Sequence, residues 1–506
     1  MELSQRVLIE EKFSHLTAQI DATQESFANA LAKQQFGQFF TPQRVSKLVA
    51  GIVPIKATSA VRVLDPGAGL GSLTVALCEQ LILGNATREI EAILIEQDSA
   101  LIKPLAKNLD LLKELSAQFG ISLNFQIFNN DFFELVNLSS DLTLQVGDNF
   151  DYIIMNPPYG KLNAQSSART ALKLLGVDSP NLYSGFISLA IRLLKNDASF
   201  SAIVPRSFMN GTYFKRFRED LLSKVSIEAI HVFESRSSLF SKDLVLQETV
   251  IFSGTKKQQG NQVEIIYSKT EQKIESKSIV PTHKVILDAD PDSFLHIPIS
   301  TESEQDSALR AKLKCTLSDL ELLVSTGPVV DFRCREHISR EFHDGYVPLI
   351  QSGNVKGGVV SWPLSYKKPQ YIDSRITKLL YPNQNYVLVK RFSSKEEKRR
   401  IVASTWSSEL VPTEYVGFEN HLNIIYKKDG QLSLDLAKGI SCFLNSTLMD
   451  SIFREFSGHT QVNAGDLRKL KFPPSVVLEA LGRCIEMELP EQETIDSLVT
   501  RLVEEF

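Results

Sequence analysis

The residues best suited to chemistry in this sequence lie in one run, Asp151-Tyr-Ile-Ile-Met-Asn-Pro-Pro-Tyr-Gly160. The side-chain oxygen of Asn156 and the backbone carbonyl of Pro157 are two hydrogen-bond acceptors on one turn, and Tyr159 adds an aromatic face. Consecutive prolines hold φ at about −65° and donate nothing to a ladder, so the turn is stiff. Such a set suits a planar amino group like N6 of adenine. That nitrogen is a poor nucleophile because its lone pair is delocalised into the ring. Two acceptors gripping the NH2 favour a tetrahedral nitrogen whose lone pair points at an incoming methyl group. The indicated chemistry is methyl transfer to an exocyclic amino nitrogen. An ordinary Pro-Pro turn with a buried tyrosine would read the same way, so the surrounding elements have to decide.

Tyr152, Ile153, Ile154 and Met155 form a short apolar run that predicts a buried parallel strand. The loop at the carboxyl end of such a strand is where open α/β sheets hold ligands. Upstream, Val61, Val63 and Leu64 predict a strand ended by Asp65. Gly67, Gly69 and Gly71 then allow a tight turn before a helix through Leu73, Val75, Leu77 and Leu81. The spacing is not that of a dinucleotide loop, and an acidic residue precedes the glycines. Ile93-Leu-Ile95 ends in Glu96, placed to accept hydrogen bonds from two ribose hydroxyls. Phe125 to Phe128 leads to Asn130-Asp131-Phe132, where Asp131 can accept from an adenine amino group. Taken singly, each is an ordinary strand-end carboxylate. In Gly37-Gln-Phe-Phe-Thr-Pro42, Thr41 sits where an N-cap belongs and Pro42 where a first helical turn does. After the Asn-Pro-Pro-Tyr run, the periodicity predicts a helix from Leu182, a strand from Phe200 to Val204, a helix at Phe217 to Leu222 and a strand from Ile227 to Phe233. Ser238-Leu-Phe240 and Thr249 to Phe252 follow.

In this order the motifs resemble the amino-group S-adenosylmethionine-dependent methyltransferases, most closely the γ-class N6-adenine DNA methyltransferases typified by the TaqI enzyme. The resemblance is firm over 37–252 and looser over 305–475. It implies a doubly wound, Rossmann-like α/β methyltransferase core followed by a mixed α/β DNA-recognition domain. S-adenosylmethionine would be the cofactor, held by Thr41, Asp65, Gly67, Gly69, Glu96, Asp131, Phe132 and Phe186. Asn156, Pro157 and Tyr159 would be catalytic, with Tyr159 and Phe240 stacking on an adenine flipped out of double-stranded DNA; no metal is required. In the recognition domain, Gly345 to Asn354 resembles the family. Lys390, Arg391, Arg399 and Arg400, with Lys395 and Lys398, form a basic loop suited to DNA, and Gly458 to Asp466 offers compact polar groups. A bacterial restriction-modification setting is implied as well, in which a separate cognate endonuclease would act on the same site; the chain is expected to be a monomer, and its scattered cysteines fit a reducing cytoplasm.

The bulk properties are compatible with this. The chain has 506 residues, 43% hydrophobic and 23% charged, which is ordinary for two to four globular domains. A net charge of −5 excludes a strongly basic global field, so DNA contacts must be local. Five scattered cysteines without a CxxC pair argue against a zinc site and a disulfide framework. No apolar run reaches about 18 residues, so no membrane partner is expected. We expect an amphipathic helical arm over 1–34 carrying Leu3, Val7, Leu8, Phe13, Leu16, Ile20, Phe27 and Leu31, a catalytic domain over 35–285 and a recognition domain over 300–490. A polar stretch near 255–305 reads as the seam between the two large domains. Three alternatives remain. Protein-glutamine methyltransferases share the Asn-Pro-Pro-Tyr turn but generally lack a large C-terminal domain. An rRNA methyltransferase would use the same chemistry. A catalytically inactive DNA-binding subunit would have no need of the set Asp65, Glu96, Asp131 and Asn156.

Overall fold

Alternating and continuous apolar runs become the strands β1 (Ala60–Pro66), β2 (Glu89–Ile95), β3 (Ser122–Phe128), β4 (Phe150–Met155) and β5 (Leu194–Pro205). They pair in parallel in the order 3-2-1-4-5. The structure is a computed structural model; it describes residues 3–506 apart from 28–39, 137–144, 164, 175, 178, 180, 234–247, 271–272, 288–289, 299–303, 366, 394–397 and 458–460. Beyond β5 the sheet continues through β7 (Thr249–Thr255), β6 (Ser226–Phe233), β8 (Gln262–Thr270) and β9 (Lys273–Pro281). β7 runs antiparallel to both of its neighbours.

Alternation along each strand sends successive side chains to opposite faces. Ile153 and Met155 join Leu64, Phe200 and Ala202 in one core, while Tyr152 and Ile154 join Val63 and Ile203 in the other. Helices α1 (Leu3–Phe27), α2 (Gln43–Gly51), α3 (Ser72–Leu83) and α4 (Ser99–Gln118) cover the second face. The first is covered by α5 (Ser167–Leu174), α6 (Leu182–Leu193) and α7 (Lys215–Leu222). Helices on both faces of a largely parallel sheet make the doubly wound Rossmann-like architecture, and central strands buried on both sides are the reason their sequences are continuously apolar.

Two local expectations change. On α1, Ile9, Phe13, Leu16 and Ile20 form the buried stripe, whereas Val7 and Leu8 are exposed. Leu31 lies outside the described residues. The polar stretch near 255–305 is no seam over most of its length: it supplies the β8–β9 hairpin at the sheet edge. The edge strand β9 alternates exposed and half-covered residues, and that is the source of its polar composition. Leu295 and Ile297 still belong to the first core.

The chain divides into two compact units, Met1–Pro298 and Ile299–Phe506. The second holds a six-stranded sheet, with Tyr386–Lys390 between Leu422–Lys427 and Ala403–Trp406, and a five-stranded sheet that includes Tyr346–Ile350 and Tyr415–Phe418. Helices such as Leu434–Leu444, Thr447–Phe456 and Ser475–Arg483 share a core with the six-stranded sheet. Among the described residues no helix is long and apolar enough to cross a membrane.

Candidate active site

The carboxyl ends of β1, β2, β3 and β4 open onto one cleft of about 780 Å³, part of it open to solvent. Thr41, Gly67, Gly69, Glu96, Asp131, Phe132 and Phe186 all line it, with Asn156 and Pro158 from the loop after β4. Residues separated by more than a hundred positions meet here because parallel strands bring all their carboxyl ends to one edge.

Glu96 closes β2 and is buried. Its Oε2 accepts from the Gly69 N–H at 2.7 Å and its Oε1 from the Asp98 N–H at 2.8 Å. The carboxylate thereby moulds the glycine loop, and Gly69 takes φ +57° to reach it. Burial raises the Glu96 pKa against the pull of those two N–H groups. Asp131 follows β3, and its Oδ1 accepts from the Phe133 N–H at 3.0 Å. Burial raises its pKa as well. Phe186 on α6 packs against Phe132 and Phe133, each at 5.0 Å between ring centres, and makes an apolar wall.

Asp65 is placed differently from the expectation. It ends β1 but does not line the cleft; it is 1% exposed, beneath the glycine loop. The Thr74 hydroxyl donates to its Oδ2 at 2.7 Å, while Oδ1 has no hydrogen-bond partner among the described residues. Burial first, and then the neighbouring Glu96, pushes this carboxyl up to about 7, with the Thr74 bonds opposing. Thr41 is not an N-cap. α2 begins at Gln43, whose N–H is taken by Asp21 of α1. The Thr41 hydroxyl instead accepts from Asn156 Nδ2 at 3.0 Å. With Nδ2 committed to Thr41, the amide is oriented and Oδ1 is its acceptor end.

Pro157 is buried, and the half-buried Tyr159 donates its hydroxyl to the Ile203 carbonyl at 3.3 Å. Phe240 lies outside the described residues. Sequence reasoning missed Gln24, Ser72 and Leu101 in the cleft lining. Gln24 gave no signal at all, because nothing local distinguishes it from a solvated residue on α1.

These groups fit S-adenosylmethionine. A carboxylate beside a glycine loop, a second carboxylate after the next strand and an aromatic wall can take a ribose, an amino group and an adenine ring. Asp65 Oδ1, buried and without a hydrogen-bond partner among the described residues, is a further acceptor next to the glycine loop.

In the second unit, Gln351, Ser352, Gly353, Lys368, Lys390, Phe392 and His421 line an open depression. Three stretches that are remote in sequence converge on it: the Glu419 N–H bonds to Ile350 O at 3.0 Å, and the Arg391 N–H to His421 O at 2.9 Å. Lys368 pairs with Asp331 at 2.7 Å, and the His421 ring bonds to the buried Glu419 carboxylate. Arg391 reaches the Asn420 carbonyl at 3.0 Å and Gln461 at 3.4 Å. Arg399 stands by Thr447 at 3.5 Å, near Asp450 and Asp496. Arg400, expected to meet DNA, is 0% exposed: its Nε donates to Ser393 and its guanidinium lies over Phe453. A side chain enclosed in that way cannot reach a phosphate, so Arg400 leaves the set. Lys395 lies outside the described residues, as does 458–460 of the polar stretch. The rest of that stretch uses Asn463 and Asp466 as a helix capping box.

Known proteins resemble this chain along nearly its whole length. The Eco57I restriction-modification methylase family matches residues 80–240. The type II methyltransferase M.PstI of Providencia stuartii is 37% identical over 491 residues, 95% of this chain and 96% of that protein. M.BsuBI of Bacillus subtilis, also a type II methyltransferase, is 39% identical over 481 residues, covering 93% and 94%. Among solved structures, the type IIL restriction-modification enzyme MmeI in complex with DNA superposes with a TM-score of 0.55 at 13% identity, over 88% of this chain and 70% of that one; this is a likeness of fold. The sheet, the cleft and two full-length relatives agree: the chain belongs to the type II DNA methyltransferases of restriction-modification systems.

Proposed function

We propose that the chain transfers a methyl group from S-adenosylmethionine to N6 of an adenine in double-stranded DNA. The observation that carries this is the Asn156 amide, clamped through Nδ2 by Thr41 at the edge of the cleft that also holds Glu96 and Asp131. Asn156 Oδ1 and the Pro157 carbonyl accept the two N6 hydrogens and turn the nitrogen lone pair outward. The bound cofactor supplies an electrophilic methyl on a positively charged sulfur. Neither Asn156 nor Pro157 needs to act as a base, because the methylated nitrogen sheds its extra proton to solvent. A stacked duplex hides N6 from such a pocket, so the base has to be flipped out. Tyr159, anchored through its hydroxyl to Ile203, offers a face for it, and Phe240 is the second face in this reading. Glu96 would hold the cofactor ribose, Asp131 its amino group, and Phe132 and Phe186 its adenine ring. Thr41, Gly67, Gly69 and the Asp65 charge beneath would complete the cradle.

The second unit serves DNA recognition in this reading, with the depression at Lys368, Lys390, Phe392 and His421 as its contact surface. Lys390, Arg391 and Arg399 are the phosphate contacts, and a separate endonuclease cutting the same sequence completes the system. The test is incubation with labelled cofactor and duplex DNA, then digestion to nucleosides and chromatography. N6-methyladenine is expected. Label in N4-methylcytosine, or in rRNA or protein in preference to DNA, would refute the assignment.

A further inference from the structure

One wall of the cleft comes from outside the α/β repeat. Gln24, near the end of α1, is 7% exposed and lines the cleft. Its Nε2 donates to Ser72 Oγ at 2.7 Å and to the Thr41 carbonyl at 3.4 Å. Ser72 opens α3 directly after the glycine loop, while Thr41 precedes α2. A single amide therefore ties the two walls together. Three residues earlier on the same helix, Asp21 accepts the Gln43 N–H on both carboxylate oxygens, each at 3.2 Å. Negative charge is favourable there, at the N-terminus of α2. The two contacts bracket Thr41, whose hydroxyl holds Asn156 Nδ2.

We propose that Gln24 and Asp21 are positioning residues: through Thr41 they set one wall of the cofactor cleft and the orientation of the Asn156 amide. The inference rests on the proposed role of Asn156. An Asn amide rotates over a broad, roughly two-fold torsional profile, so its partner selects which end faces the substrate. Thr41 is that partner, and Thr41 is itself fixed by α1. The helix is thus a working part of the active site as well as a packing element.

Gln24→Met keeps the side-chain length and removes both donated bonds. Calorimetric titration of S-adenosylmethionine, without DNA, should show roughly five- to tenfold weaker binding, the loss of one or two net hydrogen bonds. Turnover should fall while the KM for DNA holds. Thr41→Val removes the hydroxyl, and because Gln24 acts through Thr41 the double variant should lose little more turnover than Thr41→Val alone. Ile9→Ala trims packing on the same helix away from the cleft. It should lower the unfolding temperature but leave cofactor affinity intact in the cold. Wild-type affinity in Gln24→Met, additive losses in the double variant, or equal weakening by Ile9→Ala would each overturn the proposal. The cofactor titration contains no substrate. Its outcome is therefore separable from whether the methylated product is N6-methyladenine.

Discussion

Asp65→Asn should make the protein more stable at pH 8 and less stable at pH 4. Asp65 is enclosed, held by Thr74, with one oxygen without a partner among the described residues and Glu96 nearby. Its carboxyl therefore titrates near 7 when folded, against 3.8 for the free side chain. Between those values the folded state holds a proton that the unfolded chain has released. Stability from this group is thus complete below about pH 4 and is lost as pH rises to 7, levelling off above. The rise in pKa corresponds to roughly 4 kcal/mol as a ceiling on the penalty at pH 8. Asparagine removes the titration, but its NH2 is left without an acceptor at a cost of about 1–3 kcal/mol that does not vary with pH. The difference between variant and wild type should accordingly change sign between pH 4 and 8. Both tryptophans, Trp362 and Trp406, lie in the second unit, so their fluorescence does not follow the unit that holds Asp65. Calorimetry and circular dichroism across this pH range are the appropriate assays. A variant-minus-wild-type difference that stays constant from pH 5 to 8.5 would refute the reasoning. In the proposed reading, where a positively charged cofactor sulfur favours the ionised carboxylate, the same substitution should weaken cofactor binding above pH 7.

Asn156→Ala should retain cofactor and DNA binding yet lose roughly two to three orders of magnitude in turnover, since its bond to N6 counts most in the transition state; near-normal single-turnover rates would exclude the mechanism. Tyr159→Phe keeps the ring while removing the hydroxyl and its bond to Ile203 and should keep most turnover, whereas Tyr159→Ala should lose base stacking worth about 1–3 kcal/mol. Steady-state rates and 2-aminopurine fluorescence at the target position separate the two, and equal losses would argue against stacking. Lys390→Ala and Arg391→Ala should each flatten the salt dependence of DNA binding by about 0.9 in log–log slope. Arg400→Met should leave that slope unchanged and destabilise the second unit by about 1–3 kcal/mol, read as a fall in the denaturation midpoint.

Much of the catalytic unit was legible because its chemistry is written in contiguous segments. A strand, its terminal acid and the following loop occupy ten or so residues. Asp65 with its glycines, Glu96, Asp131 and the Asn-Pro-Pro-Tyr turn could each be placed at a strand end from hydrophobic pattern and turn chemistry. Parallel pairing then brings those ends to one edge, and seven of the eight expected cofactor residues line one cleft, with Asp65 beneath it. What the sequence could not settle depends on partners far away along the chain. Thr41 had every local mark of an N-cap, but Asp21, 22 residues before Gln43, took that place and released the hydroxyl to Asn156. The stripe on α1 runs through Ile9 and not Val7 or Leu8, because the sheet and not the helix chooses the buried phase. Arg400 looked like its exposed neighbours until Phe453 and Ser393 closed around it. Local propensity and turn chemistry act over a few residues and can be read in line. Burial and side-chain partnership are properties of segments brought together from tens to hundreds of residues apart, and only the folded chain assigns them.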